Sequence, residues 1–182
     1  MMQICRAHGK ADFEAARALI AEMALWDASE TRQRGVPADD LLRTYYSDTT
    51  EKLVAKFTGP DAGLFVSRSN GTAAGCVGFR RSSNGIGEIQ KMFVRPEFRG
   101  KGFGRTLMMA VIDEMRQSGY GKARLETVLF MTDAIALYRA IGFRRCDPFR
   151  NVLENLRSIT IFMERELWPA ASQTVQRGVF SA

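Results

Sequence analysis

Apolar positions along the chain change their spacing twice, and those changes mark out the elements. Phe13, Ala16, Leu19, Ile20 and Met23 recur at helical intervals behind Asp12, which predicts a capped helix from Asp12 to about Leu25. Gln3 to Ala7 reads as a short extended segment before it. A polar break at Arg34-Gly35-Val36-Pro37 follows, then a second helix start near Leu41, Leu42 and Tyr45 behind Asp39-Asp40. Thr50 to Phe57 is a further short helix, ended by Gly59-Pro60. The spacing then becomes extended. Gly63 to Ser69 and Thr72 to Arg81 form a hairpin across Asn70-Gly71, and Ile86 to Val94 is a third strand after Asn84-Gly85.

Helical spacing returns between Gly104 and Ser118, where Leu107, Val111 and Met115 share a face and Gly119 stops the helix. Lys122 to Thr127 is predicted as a strand, Thr132 to Ile141 as a helix, Phe143 to Arg145 as a short strand and Ser158 to Glu164 as the last strand. The order predicts one α/β domain over residues 1–168, a mixed and mostly antiparallel sheet flanked by helices. Residues 169–182 are predicted as a polar C-terminal tail.

Composition narrows the function classes. The chain has 182 residues, a length that suits one domain, with 46% hydrophobic and 25% charged residues. No apolar run is long enough to cross a bilayer, and the first ten residues lack an apolar signal core, so a cytoplasmic protein is expected. Cys5, Cys76 and Cys146 are far apart with no CxxC pair, which argues against a zinc site or a disulfide framework. His8 is the sole histidine, so a metal centre or histidine-dependent triad is not expected.

The net charge of +6 comes from 26 basic and 20 acidic side chains. It peaks locally: Arg95, Arg99, Lys101 and Arg105 stand against Glu97 alone. A small polyanion fits that pattern better than nucleic acid, which calls for a long basic stripe. The peak coincides with Arg99-Gly100-Lys101-Gly102-Phe103-Gly104-Arg105, between a strand and a helix. Glycines let backbone N–H groups converge there, and the helix N-terminus adds positive potential, so the loop is suited to phosphate oxygens. It is not a Walker loop, since no lysine–hydroxyl pair follows in register. It is not a dinucleotide fingerprint either, because the third glycine would fall on Arg105 or Leu107.

Arg99, Gly102 and Gly104 match the Gln/Arg-x-x-Gly-x-Gly/Ala motif, and here the chain resembles the GNAT superfamily of N-acetyltransferases. Leu137-Tyr138 and Gly142-Phe143 resemble the late helix and Gly-Phe turn of that family. The resemblance is firm from about Arg80 to Asp147. It implies the GNAT-like acyl-CoA N-acyltransferase fold and acetyl-CoA as co-substrate, with no metal. It further implies that Arg99, Gly100, Lys101, Gly102, Phe103, Gly104 and Arg105 bind the pyrophosphate. Met92, Phe93 and Val94 are implied to lie beside the pantetheine arm, on a strand that bulges away from its neighbour. A homodimer is also an expectation from the resemblance.

The implied reaction asks for an acid and a base, because an alkyl ammonium must lose a proton before it attacks. Glu88, on the strand before the loop, is the candidate base; by strand alternation it shares a face with Gln90, Met92 and Val94. A solvated or substrate-binding glutamate is the competing reading. Tyr138 is the candidate acid for the leaving thiolate, against an aromatic packing role. Trp26, Tyr45 and Tyr46 are candidates for an aromatic acceptor wall or for the core, and Phe130, Met131 and Thr132 for the border of the acceptor pocket. Six acids against three arginines between Asp27 and Glu51 suggest an acidic entrance favouring a cationic amine. The expected reaction is acetyl transfer to the primary amine of a small molecule, with no nucleic-acid or membrane partner. The alternatives are a peptide or protein N-acetyltransferase and a non-catalytic acyl-CoA sensor.

Overall fold

The computed structural model describes residues 1–168; the predicted tail lies outside the described residues. Seven strands are β1 (Met2–Arg6), β2 (Ala62–Ser69), β3 (Thr72–Ser83), β4 (Ile86–Val94), β5 (Lys122–Val128), β6 (Arg144–Arg145) and β7 (Thr160–Glu166). Five α-helices are α1 (Gly9–Gln33), α2 (Asp39–Tyr45), α3 (Thr50–Phe57), α4 (Phe103–Gln117) and α5 (Thr132–Ala140). The strands form one sheet in the order β1-β2-β3-β4-β5-β7-β6. Every pairing is antiparallel except β4 with β5. This is the expected mixed, mostly antiparallel architecture.

Each face of the sheet carries its own core. Leu107, Met108, Val111, Ile112 and Met115 of α4 pack with Val77, Phe79, Ile89, Leu125 and Met163, and Tyr138 of α5 joins them. On the other face, Phe13, Ala16, Leu19 and Ile20 of α1 pack with Leu53 and Phe57 of α3 and with Val66, Cys76 and Phe93. Cys76 is therefore core, as its apolar strand run implied, and burial pushes its thiol up to about 12.

The largest departure from the predicted elements is α1, which continues eight residues past Leu25 to Gln33. The segment looks polar in sequence, yet Asp27, Ala28 and Thr31 extend the buried face of the helix. Its start also differs: His8 precedes the first turn, and Asp12 reaches back to accept the His8 backbone N–H at 3.0 Å.

The second departure positions the site. Ile89 packs toward α4, and simple alternation would put Lys91 and Phe93 on that same face. Instead Phe93 packs toward α1, while Met92 and Val94 pack toward α4. The register explains the switch, because Gly78 pairs with Gln90 and Cys76 with Phe93, leaving an extra residue on β4. Lys91 absorbs it at φ 58, a left-handed conformation uncommon for a lysine. Glu88 therefore does not share a face with Met92 and Val94, and that expectation is corrected.

Candidate active site

Strands β4 and β5 are hydrogen-bonded only where Ile86, Gly87 and Glu88 face Lys122, Ala123 and Arg124. Beyond Glu88 they part. The bulge at Lys91 turns β4 away, so its later backbone groups have no partner on the β5 side. Into this wedge opens a cleft of about 370 Å³, lined from β4 by Glu88, Gln90 and Met92, from β5 by Glu126 and from α5 by Tyr138. Tyr45 roofs it at the end of α2, and Arg150 reaches in from the segment between β6 and β7.

The glycine loop sits beyond the wide end of the wedge. Gly100 and Gly102 adopt φ 71 and 85, and a Cβ built on either would meet nothing within 4 Å. Among the described residues, no backbone carbonyl accepts the N–H groups of Gly100, Lys101 or Gly102. Gly102 is the cap of α4, so these free donors join the unpaired first turn of that helix. Gly104 serves packing: a Cβ there would lie 3.2 Å from Leu137 and 3.3 Å from Met92. The Arg99 Nε–H donates to the Val94 carbonyl at 3.0 Å, and the Lys101 ammonium donates to the Glu97 carbonyl at 2.8 Å. Both brace the loop while leaving it exposed, and Arg105 is exposed beside it. Phe103 is buried against Phe98 and anchors the helix start. These residues fit a pyrophosphate group, since donors and cations converge on open space.

The cleft itself is built from buried charge. Glu88 is only 4% exposed, and its Oε1 lies 3.2 Å from Arg150 Nη1. The angles do not make this a hydrogen bond, so that oxygen lacks a donor. Arg150 commits its stronger contacts to Glu126, with Nε–H donating at 2.8 Å and Nη2 at 2.6 Å from the carboxylate. Its guanidinium also lies over the Tyr45 ring. Burial, with the Glu126 charge beside it, raises the Tyr45 phenol to about 12.

Tyr138 is buried against Phe143, and its phenol is raised by burial and, secondarily, by the charge of Asp27. It is thus fully protonated at neutral pH, as a proton donor must be. Asp27 belongs to the same cleft and is 5% exposed. The Tyr46 hydroxyl donates to its Oδ2, while Oδ1 has no partner. The sequence reading grouped Asp27 with the acids of a cleft entrance; in the folded chain it is a buried wall residue. Lys91, also on the wall, donates its ammonium to the Tyr45 carbonyl. Burial, together with the repulsion of Lys56, lowers it to about 8 despite Asp48 at 3.7 Å.

The structure thus brings Glu88, Tyr138, Met92, Tyr45 and Phe130 to one cleft. Phe93 and Val94 face the cores on either side of β4, beside the wedge. Trp26 does not line the cleft; it sits under the Arg99 guanidinium, 6.3 Å from the Phe130 ring. Asp27, Lys91, Glu126 and Arg150 were not singled out from sequence as site residues. No motif marks them, since they meet only through the fold. Among the described residues, no cluster of His, Cys, Asp or Glu is arranged to hold a metal ion.

A sheet wedged open beside a cradle of free N–H groups is the arrangement that the acyltransferase resemblance implied. Residues 22–143 match the Acetyltransferase (GNAT) family. The IAA acetyltransferase of Azospirillum brasilense is 37% identical over 109 residues, covering 59% of this chain and 70% of that protein. The yncA acetyltransferase of Salmonella typhimurium, solved with acetyl-CoA, superposes with a TM-score of 0.63 at 26% identity, over 94% of this chain and 96% of its own. The PaiA N-acetyltransferase of Thermoplasma acidophilum, solved with coenzyme A, has a TM-score of 0.71 at 18% identity, over 91% and 99%. The chain belongs to the GNAT acetyltransferase family.

Proposed function

We propose that this protein transfers acetyl from acetyl-CoA directly to the primary amine of a small molecule. The observation that carries this reading is the cleft at the mouth of the β4/β5 wedge, walled by side chains of several elements. Tyr45 of α2 and Arg150 of the β6–β7 segment cover it from two sides, which favours a compact acceptor over an extended peptide. Asp27, Glu88 and Glu126 give it an acidic wall suited to a cation. In the reading from sequence, Glu88 takes the proton of the ammonium; in the folded chain it already faces Arg150, and Asp27 competes for the task. Tyr138 supplies a proton to the leaving thiolate. The N–H groups of Gly100 to Gly102, with Arg105, hold the pyrophosphate, and the freed β4 backbone near Met92 orients the pantetheine arm. Holding amine and thioester together supplies much of the rate. Free Cys5, Cys76 and Cys146 fit the reducing cytoplasm proposed for the protein.

The test is thiol release from acetyl-CoA by purified protein, across polyamines, amino acids, aminoglycosides and short peptides. Release that depends on a small amine is expected. Release only with peptides would establish the protein-acetyltransferase alternative. Calorimetric binding of acetyl-CoA without release from any amine would favour the sensor.

A further inference from the structure

Two carboxylates of the cleft compete for the proton-accepting role, and their surroundings differ. Glu88 faces a guanidinium at 3.2 Å, and that same guanidinium is shared with Glu126 and lies 6.0 Å from the centre of the Tyr45 ring. Asp27 has no cation in contact among the described residues; Lys91 acts on it only from a distance. Its one hydrogen bond comes from Tyr46, and its second oxygen is buried with no donor at all. Glu88 Oε1 also lacks a hydrogen bond, but the Arg150 guanidinium lies against it. Asp27 Oδ1 has neither donor nor ion-pair partner among the described residues, and a buried carboxylate oxygen left so on a cleft wall calls for a ligand.

From this geometry we infer that Asp27, held by Tyr46, is the proton acceptor for the incoming amine, while Glu88, Glu126 and Arg150 position the acceptor's body. The assignment rests on the acetyltransferase reading given above. Asp27 lies on the α1 wall, close enough to the Tyr138 phenol on α5 to act on it electrostatically. Amine and thioester therefore meet between a proton acceptor and a proton donor. The substrate ammonium gives one proton to Asp27 Oδ1, and the freed nitrogen lone pair forms the bond to the thioester carbon. The C–S bond then breaks. The thiolate takes the Tyr138 proton, and the phenolate recovers one from the acylated nitrogen. Asp27 releases its proton to solvent, so the sum is one amide, one thiol and one proton.

The electrostatics agree with the task. Burial raises the Asp27 carboxyl to about 6, against the lowering effect of the Tyr46 hydrogen bond. Glu30 of the same helix raises it further and Lys91 of β4 lowers it, while Tyr138 on α5 stays neutral. A base poised just below neutral pH is ionised in use yet still able to hold a proton.

The experiment is the pH–rate profile of acetyl-CoA turnover with the fastest panel amine, for the unaltered chain, D27N, Y46F and E88Q. Acetyl-CoA affinity by calorimetry serves as the folding control. D27N is expected to lose about 100-fold or more in turnover at pH 7, as for removal of a general base. Its acetyl-CoA affinity should stay within about twofold, and it should recover activity at high pH, where the amine is already neutral. Y46F should move the acidic limb to higher pH, because the bond that lowers the carboxyl is gone, and so lose turnover at pH 7 while recovering it above the shifted limb. E88Q should raise KM for the amine and keep the limb. Turnover of D27N within about threefold of the unaltered chain, or loss of the limb in E88Q instead, would overturn the assignment. If the unaltered chain itself shows no amine-dependent release, both the assignment and the acetyltransferase reading fall.

Discussion

The glycine loop and the acceptor cleft are the two working ends of this molecule, and they are built on opposite principles. The loop is continuous in sequence, exposed, and made of backbone donors whose geometry two left-handed glycines set. The cleft gathers side chains from α1, the end of α2, β4, β5, α5 and the segment after β6, and buries their charge. A backbone cradle recognises a group common to every turnover. A buried charge network is tuned by each neighbour and suits a particular acceptor. Affinity for the cofactor and choice of acceptor are therefore separable properties of one fold.

That separation is breakable by experiment. The largest expected effect is at Tyr138: Y138F should lower turnover by about 10²–10⁴, the range for losing an acid catalyst, with acetyl-CoA affinity unchanged by calorimetry. A loss confined to cofactor affinity would show that the phenol merely packs the cofactor.

Next comes pH-dependent stability. Asp27 is raised from 3.8 to about 6, so the folded state holds a proton that the unfolded chain has released. Stability should therefore fall as pH rises from about 4 to about 6, by about 3 kcal/mol. D27N should flatten that slope in urea unfolding. Lys91 gives the opposite slope. It is lowered from 10.5 to about 8, so stability should rise between those values, and K91M should abolish the rise. No comparable slope should follow from a loop variant.

Gly102→Val comes third. A β-branched residue at φ 85 costs about 1–3 kcal/mol and narrows the cradle. Acetyl-CoA affinity should drop by roughly the corresponding 5- to 150-fold, while the acidic limb of the pH profile stays in place. The smallest effect is Arg105→Ala at the exposed rim, about 1 kcal/mol of affinity or less, and it should vanish at high salt. Equal loss of amine specificity in any loop variant would break the comparison.

The same contrast decides what could be read from sequence. Ile86 to Val94 and Thr50 to Phe57 were predicted with their observed limits, since period and turn residues are local signals. Arg99 to Arg105 was legible because a phosphate cradle must be written in consecutive residues. The bulge was implied by family resemblance, but strand alternation alone put Glu88 on the wrong face relative to Met92. Lys91 gives no warning of a left-handed φ, because only its pairing with β3 requires one. Asp27 was hidden for a related reason. Within Trp26-Asp27-Ala28-Ser29-Glu30 it reads as one more surface acid, until α1 is seen to run on and turn it toward Tyr46.

The three residue pairs that join β4 to β5 have a mechanical consequence. A ladder fastened at one end is a lever with its fulcrum at Gly87, where a Cβ would come within 2.4 Å of the Met115 methyl. From Glu88 to Val94 the arm, open on its β5 side and carried by β3 on the other, is about 20 Å long at the usual strand rise. A rotation of about 5° at the fulcrum therefore shifts its tip by roughly 2 Å, more than the length of a carbon–carbon bond. Gly87→Ala, whose own side chain faces α4 and Tyr120, would act on the aperture from outside the pocket. Gly87→Ala is therefore expected to shift the size of acceptor admitted while touching neither substrate, which rates across amines of increasing length would show.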